Sequence, residues 1–348
     1  MRVELISVED SRWPAMLARA THDVYHLPNY ASLESRHGDS EAVALYGIDD
    51  EGDEFLLPLL LRDLPPELGL PDTWRDAAAL YGYAAPLTTT DNCQAMNEFL
   101  RNAVQVARDN GLIAMFLRWH PLWPTPERTC IQGESIVDHG QTVFVDLTEP
   151  CEDWQRQSRS ELRYSIRRLK KLGFEVVMDD WSMLPEFHRV YHSTMHRVAA
   201  RNSYYYSLQY FQELRNSWGS YLHIASVVSP AGDVSAAGLF TECHGIVQYH
   251  LSGSDEAYLR LAPTKQLLDT VRHWSKERGN RVFHLGGGVD GQKDSLFAFK
   301  AAFSKHRSFF KTSRIITHAQ RYQQAVSAFQ NVQSLSQGDY FPAYRQAA

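Results

Sequence analysis

The stretch from Tyr221 to Leu251 reads YLHIASVVSPAGDVSAAGLFTECHGIVQYHL. It contains three apolar, β-prone runs, and the short turns between them favour strands that neighbour one another in a sheet. The runs are Tyr221–Val228, Val234–Glu242 and Gly245–Leu251. A helical period over Thr264–Arg278 ends at Gly279, and Arg281–Leu285 then has the composition of a further strand. This order predicts a mixed α/β unit.

The first half of the chain shows a similar rhythm. Ala42–Ile48 and Glu54–Leu61 flank a turn-rich segment and predict a hairpin, while Asn92–Asn110 has a helical period and Leu112–Trp119 reads as a buried strand. We therefore predict an α/β (α+β) fold of two tandem units, each a mixed, mostly antiparallel sheet flanked by helices. The predicted domains are 1–150 and 151–318, and 319–348 is predicted to form a peripheral helix and a loose tail.

The charges of the two halves are opposite. Of the 348 residues, 44% are hydrophobic and 12% aromatic, which excludes a disordered chain. Residues 1–150 hold 10 arginines, no lysine and 24 acidic residues, a formal charge of −14, whereas residues 151–348 hold 25 basic and 17 acidic residues, a charge of +8. Either the second half handles an anion or the surface charge simply drifts along the chain, and charge alone leaves both open.

The compartment is predicted from what the sequence does not contain. The start, Met1-Arg2-Val3-Glu4, does not resemble a signal peptide, and the apolar run Phe55–Leu61 is far shorter than the roughly 20 residues of a membrane span. The four cysteines are far apart and show no CxxC spacing, so neither a zinc ribbon nor a disulfide framework is predicted. We expect a cytoplasmic protein without a transmembrane segment.

A basic stripe follows one face of a predicted helix over Glu152–Leu172. Its cations recur at steps of three and four residues, about 100° away from an apolar stripe. They are Arg156, Arg159, Arg163, Arg167 and Lys170. Guanidinium groups suit phosphate or carboxylate recognition, and five like charges repel one another unless an anion covers them. A bound anion and a solvated basic face are the two interpretations, and we favour the anion.

Lys300 is the second candidate. The segment Asp294–Phe303 predicts a short helix with Asp294 as its N-cap, on which Lys300 lies between Leu296 and Phe303. A lysine on such an aromatic face is partly desolvated, has a lowered pKa, and could present its charge to a developing oxyanion. From the spacing alone, a lysine whose stem merely covers phenylalanine rings is the simpler interpretation.

Three further features carry less information. Gly286-Gly287-Gly288 allows close backbone approach to a ligand but is not a dinucleotide fingerprint, and the helix beginning near Thr264 offers free N–H groups as any helix does. His188, His192 and His196 share one helix face at the spacing of metal ligands. Because neither an HExxH pattern nor a nearby cysteine accompanies them, we predict no metal site.

Several segments together resemble the Fem-like branch of the GNAT superfamily, which comprises peptidoglycan aminoacyltransferases and related N-acyltransferases. The resemblance covers the chain to about residue 317. In the second half it rests on Arg163–Arg168, Tyr249–Ser254, Leu285–Gly288 and Phe299–Ser304, and in the first half on Val24–Pro28 and Tyr81–Leu87.

The resemblance implies two GNAT-like domains, with transfer of an aminoacyl or acyl group to an amine in the second. It implies that Phe299 and Lys300 belong to the reaction centre. Apart from the resemblance, His250 and His284 on neighbouring predicted strands are candidate proton relays, and a hydrogen-bonded core histidine is the equal alternative for each. We also predict that donor or acceptor groups contact Arg159, Arg163, Arg167, Tyr164, Tyr204, Tyr206, Tyr249, Gly286 and Gly287. The acceptor would be an amine of a peptide, an amino sugar or a metabolite, no cofactor would be tightly bound, and DNA is not an expected partner.

Departures from the family bear on the donor. The coiled-coil arm of cell-wall Fem enzymes has no room between Tyr221 and Leu251, alanines stand at Ala84 and Ala85 where the aromatic loop has glycines, and Arg260–Thr264 lacks the glycines of a pyrophosphate loop. The missing pyrophosphate loop disfavours acyl-CoA as the co-substrate. It favours aminoacyl-tRNA, because the basic stripe could contact the phosphates of the tRNA. An acyl-CoA-dependent N-acyltransferase is the enzymatic alternative, and a non-catalytic module that binds an anionic saccharide or an RNA is the alternative of another class.

Overall fold

The computed structural model describes residues 1–124, 131–332 and 340–346, except the side chain of Gln155. The chain forms two compact units, the first from Met1–His139 with Phe309–Ala348 and the second from Gly140–Ser308. The division falls inside two strands, at 139/140 and 308/309. The predicted domain boundaries at 150/151 and 318/319 stay predictions.

Helices and strands alternate along both units. From the N-terminus the elements are β1 (Arg2–Ser7), α1 (Arg12–Leu17), α2 (Pro28–His37), β2 (Glu41–Ile48), β3 (Glu54–Asp63), β4 (Arg75–Ala78), β5 (Leu87–Thr88), α3 (Cys93–Asp109), β6 (Leu112–Arg118) and β7 (Glu134–Asp146). They continue with α4 (Cys151–Gln157), α5 (Ser160–Lys171), β8 (Glu175–Met178), α6 (Leu184–Arg197), α7 (Leu208–Trp218), β9 (Leu222–Val228), β10 (Val234–Cys243), β11 (Ile246–Ser254), α8 (Thr264–Glu277), β12 (Val282–Gly286), α9 (Ser295–Lys300), β13 (Arg307–Ile315) and α10 (Ala319–Val332).

The sheet of the first unit has the order β1-β2-β3-β4-β6-β13, with β5 paired to β3. β4 and β6 run parallel, and the other neighbours are antiparallel. α3 covers this sheet with its apolar side, which includes Phe99, Leu100 and Ala103. Asn92 begins α3 by accepting hydrogen bonds from two N–H groups of the first turn.

The sheet of the second unit has the order β7-β12-β11-β10-β9-β8. Here β11 and β12 run parallel, and the other neighbours are antiparallel. Apolar residues of α5 and α8, such as Ile166 and Leu267, pack with Phe240, Val247 and Phe283 on one face of the sheet. On the other face, Trp218 of α7 contacts His250 of β11. The predicted fold class, with a mixed and mostly antiparallel sheet flanked by helices in each unit, is confirmed.

Some local predictions are wrong. The helix predicted over Glu152–Leu172 is broken, because Ser158 and Arg159 have extended backbone between α4 and α5. β4 and β5 lie in segments that the sequence assigns to loops. α10 is the predicted peripheral helix, but Ala343–Arg345 is not a loose tail, since Tyr344 is fully buried in a cluster with Ala325 and Phe329.

Two other predictions concern the chain as a whole. None of the helices in the described ranges is long and apolar enough to cross a membrane. Cys93, Cys151 and Cys243 are free thiols, and Cys130 lies outside the described residues.

Candidate active site

The two parallel strands of the second unit separate at one end. β11 and β12 pair over Ile246–Gln248 and Val282–His284. Beyond these residues β11 stays paired with β10 as far as Ser254, whereas β12 follows β7 past a bulge to pair Gly286 with Val143. We call the place where they diverge, bounded by Tyr249, Gly286 and Gly287, the strand fork.

Lys300 reaches the strand fork from the last residue of α9. Asp294 begins this helix by accepting a hydrogen bond from the Phe297 N–H at 2.8 Å, as its N-cap position predicts. The Lys300 Nζ donates to the Gly287 carbonyl oxygen at 2.7 Å and lies 5.7 Å from the centre of the Tyr249 ring. An ammonium carries three N–H donors, and among the described residues one acceptor meets them, so two donors remain for a ligand.

Burial perturbs the pKa of Lys300. The residue is only 8% exposed, and this desolvation lowers the pKa of its ammonium to about 8, against the opposing charge of Asp294. At neutral pH the group is therefore still charged, but it loses its proton far more readily than a surface lysine. Buried groups with such shifts are concentrated at functional sites.

The three glycines make room for this ammonium. A Cβ on Gly286, whose φ is +78°, would lie 3.3 Å from the Lys300 Nζ. A Cβ on Gly288 would lie 2.1 Å from the Gln292 carbonyl oxygen, which is inside contact distance. The turn after β12 therefore requires glycine at these positions to bring the Gly287 carbonyl onto the lysine.

Tyr249 forms the other wall of the strand fork. Its hydroxyl is hydrogen-bonded to the Ser252 hydroxyl, and burial raises the pKa of the phenol to about 12. The ring stacks on Phe240, and Phe299 and Phe303 of the α9 segment pack edge-to-face nearby in the same core. The aromatic side chain that bounds the ammonium is thus Tyr249 of β11, rather than the phenylalanines of its own helix that the spacing indicates, and the hydroxyl stays protonated at neutral pH.

The two predicted relay histidines lie on the opposite face of the sheet. His250 is the extra residue of a bulge in β11, between the Tyr249–Phe240 and Leu251–Leu239 pairs, and its ring packs against Trp218 of α7. Tyr249 instead packs with Phe240 in the core beneath α5 and α8. The His284 Nδ1 lies 3.3 Å from the Gln248 side-chain oxygen, which faces the same side as His250. The structure therefore brings Lys300, Tyr249, Gly286 and Gly287 together and separates His250 and His284 from them.

The basic stripe is rearranged by the break between α4 and α5. Arg156 lies on α4 and pairs with Asp153 at 3.2 Å, and Arg163 turns back to donate to the Ser158 carbonyl oxygen at 2.9 Å. The Arg159 N–H donates to the Ala302 carbonyl oxygen at 3.1 Å, which joins the start of α5 to the turn after Lys300. The prediction of one continuous five-cation stripe is wrong.

A different stripe is exposed on α5. Tyr164, Arg167, Arg168 and Lys171 follow the i, i+3, i+4, i+7 spacing, and all four are exposed, Tyr164 to 63%. The structure retains Arg167 and Tyr164 from the predicted anion-binding set on this face. Three cations beside an exposed aromatic ring suit a phosphate backbone with unpaired bases.

The predicted aromatic wall and the histidine row lie next to α6 and α7. Tyr206 stacks on Tyr210 with ring centres 4.3 Å apart, and the Tyr204 carbonyl oxygen accepts from the Tyr191 hydroxyl. The rings of His188 and His192 are 4.1 Å apart, and those of His192 and His196 are 6.5 Å apart. Within the described residues, these three histidines do not form a group whose ligand atoms converge.

The entrance to α8 does not present open amides in the manner of a pyrophosphate loop. The N–H groups of Ala262, Lys265 and Gln266 donate to carbonyl oxygens three residues earlier, and Pro263 has no N–H. Ala262 adopts a left-handed conformation with φ +53° in the absence of glycine. This geometry accords with the missing glycines of Arg260–Thr264.

Sequence reasoning missed two contributors to the strand fork. Ser252 was quoted only within a motif, although it bonds the Tyr249 hydroxyl, and Asp294 was given only a capping role, although its charge opposes the desolvation of Lys300. An acidic cap six residues before a lysine on a short helix is the signal that indicates the second contact. The Tyr249–Ser252 contact depends on the local strand geometry and has no comparable signal.

A known protein-family model matches most of the second unit. Residues 156–300 match the model of the acetyltransferase (GNAT) domain family, and this range lies within Gly140–Ser308. A search of curated protein sequences finds no match.

Solved structures share the fold of both units at low sequence identity. The crystal structure of FemX is 14% identical, with a TM-score of 0.68 over 93% of this chain and 99% of that chain. The structure of L-PGS from Bacillus licheniformis is 13% identical, with a TM-score of 0.58 over 93% of this chain and 97% of that chain. The C-terminal domain of a putative lysylphosphatidylglycerol synthetase from Agrobacterium fabrum is 15% identical, with a TM-score of 0.53 over 82% and 87% of the two chains.

The protein is therefore an acyltransferase of the GNAT fold. Its second unit contains the GNAT acetyltransferase domain, and the chain has the fold of FemX. The predicted resemblance to Fem-like GNAT proteins is confirmed.

Proposed function

We propose that the second unit transfers an acyl or aminoacyl group from an activated ester or thioester to an amine, at the strand fork. The observation that carries this proposal is the buried ammonium of Lys300, which keeps two donors for a ligand and is held by the Gly287 carbonyl. A fixed positive charge in a desolvated place is what a developing oxyanion requires.

The reaction is aminolysis. The lone pair of the neutral acceptor amine attacks the carbonyl carbon, a C–N bond forms, and the carbonyl oxygen becomes an oxyanion that Lys300 stabilises. Collapse of this intermediate breaks the C–O or C–S bond, and the proton lost by the amine balances the one gained by the leaving group. The site contributes orientation of the two substrates as well as charge.

Proton transfer does not require His250 or His284. Both lie on the other face of the sheet from Lys300, so their relay role stays a prediction that needs a substrate group on that face. The acceptor amine, in its neutral form, could instead release its proton to the leaving group or to solvent. The acceptor is proposed to be an amine of a peptide, an amino sugar or a metabolite.

Aminoacyl-tRNA is the proposed donor. The exposed stripe of Tyr164, Arg167, Arg168 and Lys171 supports it, because cations and an aromatic ring suit an RNA end, and the Arg159 contact to Ala302 joins this helix to the turn beyond Lys300. The occupied amides at the start of α8 also support it. With aminoacyl-tRNA as the donor, we also propose that the protein is located in the cytoplasm.

Acyl-CoA is the second candidate donor. The specific observation in its favour is the match of residues 156–300 to a GNAT acetyltransferase domain. In that case Arg159, Arg163 or Arg167 would contact the phosphates of the coenzyme, and the same lysine would act on the thioester. The third candidate, a non-catalytic module that binds an anionic saccharide or an RNA, makes no use of the two donors left on Lys300.

The donor and the lysine are tested together. The purified protein is incubated with total aminoacyl-tRNA or with a panel of acyl-CoAs, each with mixed amine acceptors, and acyl-amine product is followed by mass spectrometry. We expect product with one donor class and a loss of about 10³-fold or more in Lys300→Met. Lys305→Met, at an exposed lysine five residues on, is the matched control and should keep the wild-type rate.

Three results would contradict the proposal. Product formation by Lys300→Met at the wild-type rate would remove the lysine from the reaction. Product from neither donor in the folded wild-type protein would favour the binding module. Equal loss in Lys305→Met would show that the assay reports general damage to the unit.

A further inference from the structure

A cavity in the second unit lies beside the first residues of β9. Its volume is about 740 Å³, which is within the range of small-molecule sites. Most of its lining is polar or charged, and the residues used below are Asp179, Trp181, Arg215, Asn216, His223 and Arg278. None of the groups that bound the strand fork lines it.

Arg215 presents an uncompensated positive charge to this cavity. Its guanidinium carbon lies 4.4 Å from the centre of the Trp181 ring, so the group is stacked on an aromatic face. Among the described residues, no carboxylate lies within ion-pair distance of this guanidinium. Stacking covers one face of the Arg215 guanidinium but leaves its N–H edge available for a planar anion such as a carboxylate.

Asp179 presents a negative charge. Both of its oxygens lie 3.0 Å from the His223 Nδ1, and its side chain is 41% exposed. One imidazole donor uses only part of the acceptor capacity of a carboxylate. Asp179 also adopts a left-handed conformation with φ +58°, and such uncommon conformations of non-glycine residues recur at functional sites.

The remaining charges around the cavity are paired with one another. Arg278 donates from Nε to both oxygens of Glu242, at 2.9 and 3.0 Å, and Asn280 donates to the same carboxylate at 2.6 Å. The His223 Nε2 lies 3.2 Å from Glu242 on the other side. This network fixes His223, and through it Asp179, while Arg215 and Asp179 keep opposite charges for a ligand.

We propose that this cavity binds a small zwitterion, an α-amino acid or a short peptide, with its carboxylate on Arg215 and its ammonium on Asp179. A simple anion would be attracted by Arg215 and repelled by Asp179. A simple ammonium ion would be attracted by Asp179 and repelled by Arg215. Only a ligand with both charges gains from both residues. Asn216 and Trp181 line the same cavity beside these two charges.

The first experiment measures which charges the ligand needs. Glycylglycine, N-acetylglycylglycine and glycylglycinamide are titrated into the full-length protein, with binding followed by calorimetry and by the Trp181 indole resonance. The acetylated probe lacks the ammonium and the amide probe lacks the carboxylate. We expect glycylglycine to bind and each blocked probe to bind at least about tenfold more weakly, which is the loss of one charge-assisted contact.

The second experiment assigns the two contacts. Asp179→Asn keeps a residue that tolerates the left-handed conformation, and Arg215→Gln keeps a polar side chain of similar length. Each should weaken glycylglycine about tenfold or more, whereas Arg101→Gln, at an exposed arginine of the first unit, should bind like the wild type. Arg215→Gln should also cease to distinguish glycylglycine from glycylglycinamide.

The outcomes separate this proposal from the proposed acyl transfer. Lys300→Met should bind glycylglycine normally, so loss of transfer and loss of binding are independent results. The zwitterion site is overturned if glycylglycine shows no binding at millimolar concentration, if N-acetylglycylglycine binds as tightly as glycylglycine, or if both cavity variants bind it unchanged.

Discussion

Within the described residues each unit contains one parallel strand pair, and the two pairs end differently. In the first unit, the residues that follow β4 and β6 form a closed cluster of rings, in which Tyr83 packs against Tyr25 and His120. In the second unit, β11 and β12 diverge around the ammonium of Lys300. The cation of the first unit, Arg118, is only partly buried and donates to the Gly82 carbonyl oxygen at 2.8 Å, whereas the ammonium of Lys300 is buried to all but 8%.

The polar groups of the closed cluster have partners inside the protein. The His120 Nε2 lies 3.0 Å from Asp23 and its Nδ1 accepts from the Leu122 N–H, while the His26 Nε2 lies 2.8 Å from the Ala85 carbonyl oxygen. Burial lowers the pKa of His26 to about 4, so this histidine is neutral at physiological pH. Polar groups with partners inside the protein stabilise a fold, whereas the partly satisfied charge of Lys300 is suited to a substrate.

The largest expected effect is a loss of stability when the closed cluster is overpacked. A Cβ on Gly82, whose φ is +103°, would lie 2.2 Å from the Tyr25 ring. Gly82→Ala should therefore lower the free energy of unfolding of the first unit by about 4 kcal/mol, through overpacking and backbone strain together. Chemical denaturation with hydrogen exchange measures this, and transfer per folded molecule should not change.

Gly52→Ala is the matched control for this change. Gly52 also has a positive φ, +86°, but nothing lies within 4 Å of the added Cβ, so a loss of about 1 kcal/mol is expected. Equal destabilisation by the two variants would mean that the contact with Tyr25 does not matter.

The next effect concerns the turn that holds Lys300. A Cβ on Gly288 would press on the Gln292 carbonyl oxygen, so Gly288→Ala should move the Gly287 carbonyl off the lysine and slow transfer about 100-fold. The assay is the rate of acyl-amine formation. Gly279→Ala, where φ is +82° and the added Cβ has open space, should cost far less, and similar rates in the two variants would refute this role for the turn.

The titration of Lys300 is expected to have a smaller effect, on the free energy of unfolding and on its pH dependence. With a pKa of about 8 in the folded protein and 10.5 when unfolded, Lys300 binds more protons in the unfolded state between these pH values, so stability rises with pH across that window. Below pH 8 its charge costs about 3 kcal/mol. Lys300→Met should remove this cost and lose a hydrogen bond worth about 1 kcal/mol, a net gain of about 2 kcal/mol at pH 7.

Denaturation curves of wild type and Lys300→Met at pH 7 and pH 10 measure this difference. The gain of the variant should shrink towards pH 10, because the wild-type lysine is then neutral when folded. A variant that is less stable at pH 7, or a gain that does not depend on pH, would contradict the desolvation of Lys300.

The smallest effect is expected at Tyr249. Its hydroxyl bonds Ser252 and remains protonated, while its ring bounds the ammonium. Tyr249→Phe keeps the ring, so transfer should fall only about threefold, whereas Tyr249→Leu removes the aromatic face and should cost about tenfold. Steady-state rates decide this, and a loss of 100-fold or more in Tyr249→Phe would assign the hydroxyl to the chemistry.

Local sequence patterns predicted much of this structure. The hairpin of β2 and β3, the helix α3 and the cap of α9 at Asp294 all follow from spacing and residue type. The separation of His250 from Lys300 could not be predicted in this way, because a bulge at His250 interrupts the strand alternation of β11.

Other features depend on contacts between distant residues. At Ser158, where the helix is broken, the hydroxyl donates to the Trp154 and Phe303 carbonyl oxygens and accepts a hydrogen bond from buried Arg272. Phe303 is 145 residues away in the sequence. The short strand β4 has two alanines and no β-branched residue, and it forms because β3 and β6 pair on its two sides. Patterns within one segment carry no information on such partners.

The second unit holds a desolvated, charged lysine beyond its parallel strand pair. The most direct test is a pH titration of the Lys300 side-chain ¹⁵Nζ resonance in the full-length protein, assigned by its absence from Lys300→Met. The structure predicts a pKa of about 8. A value near 10.5, that of an ordinary surface lysine, would contradict it.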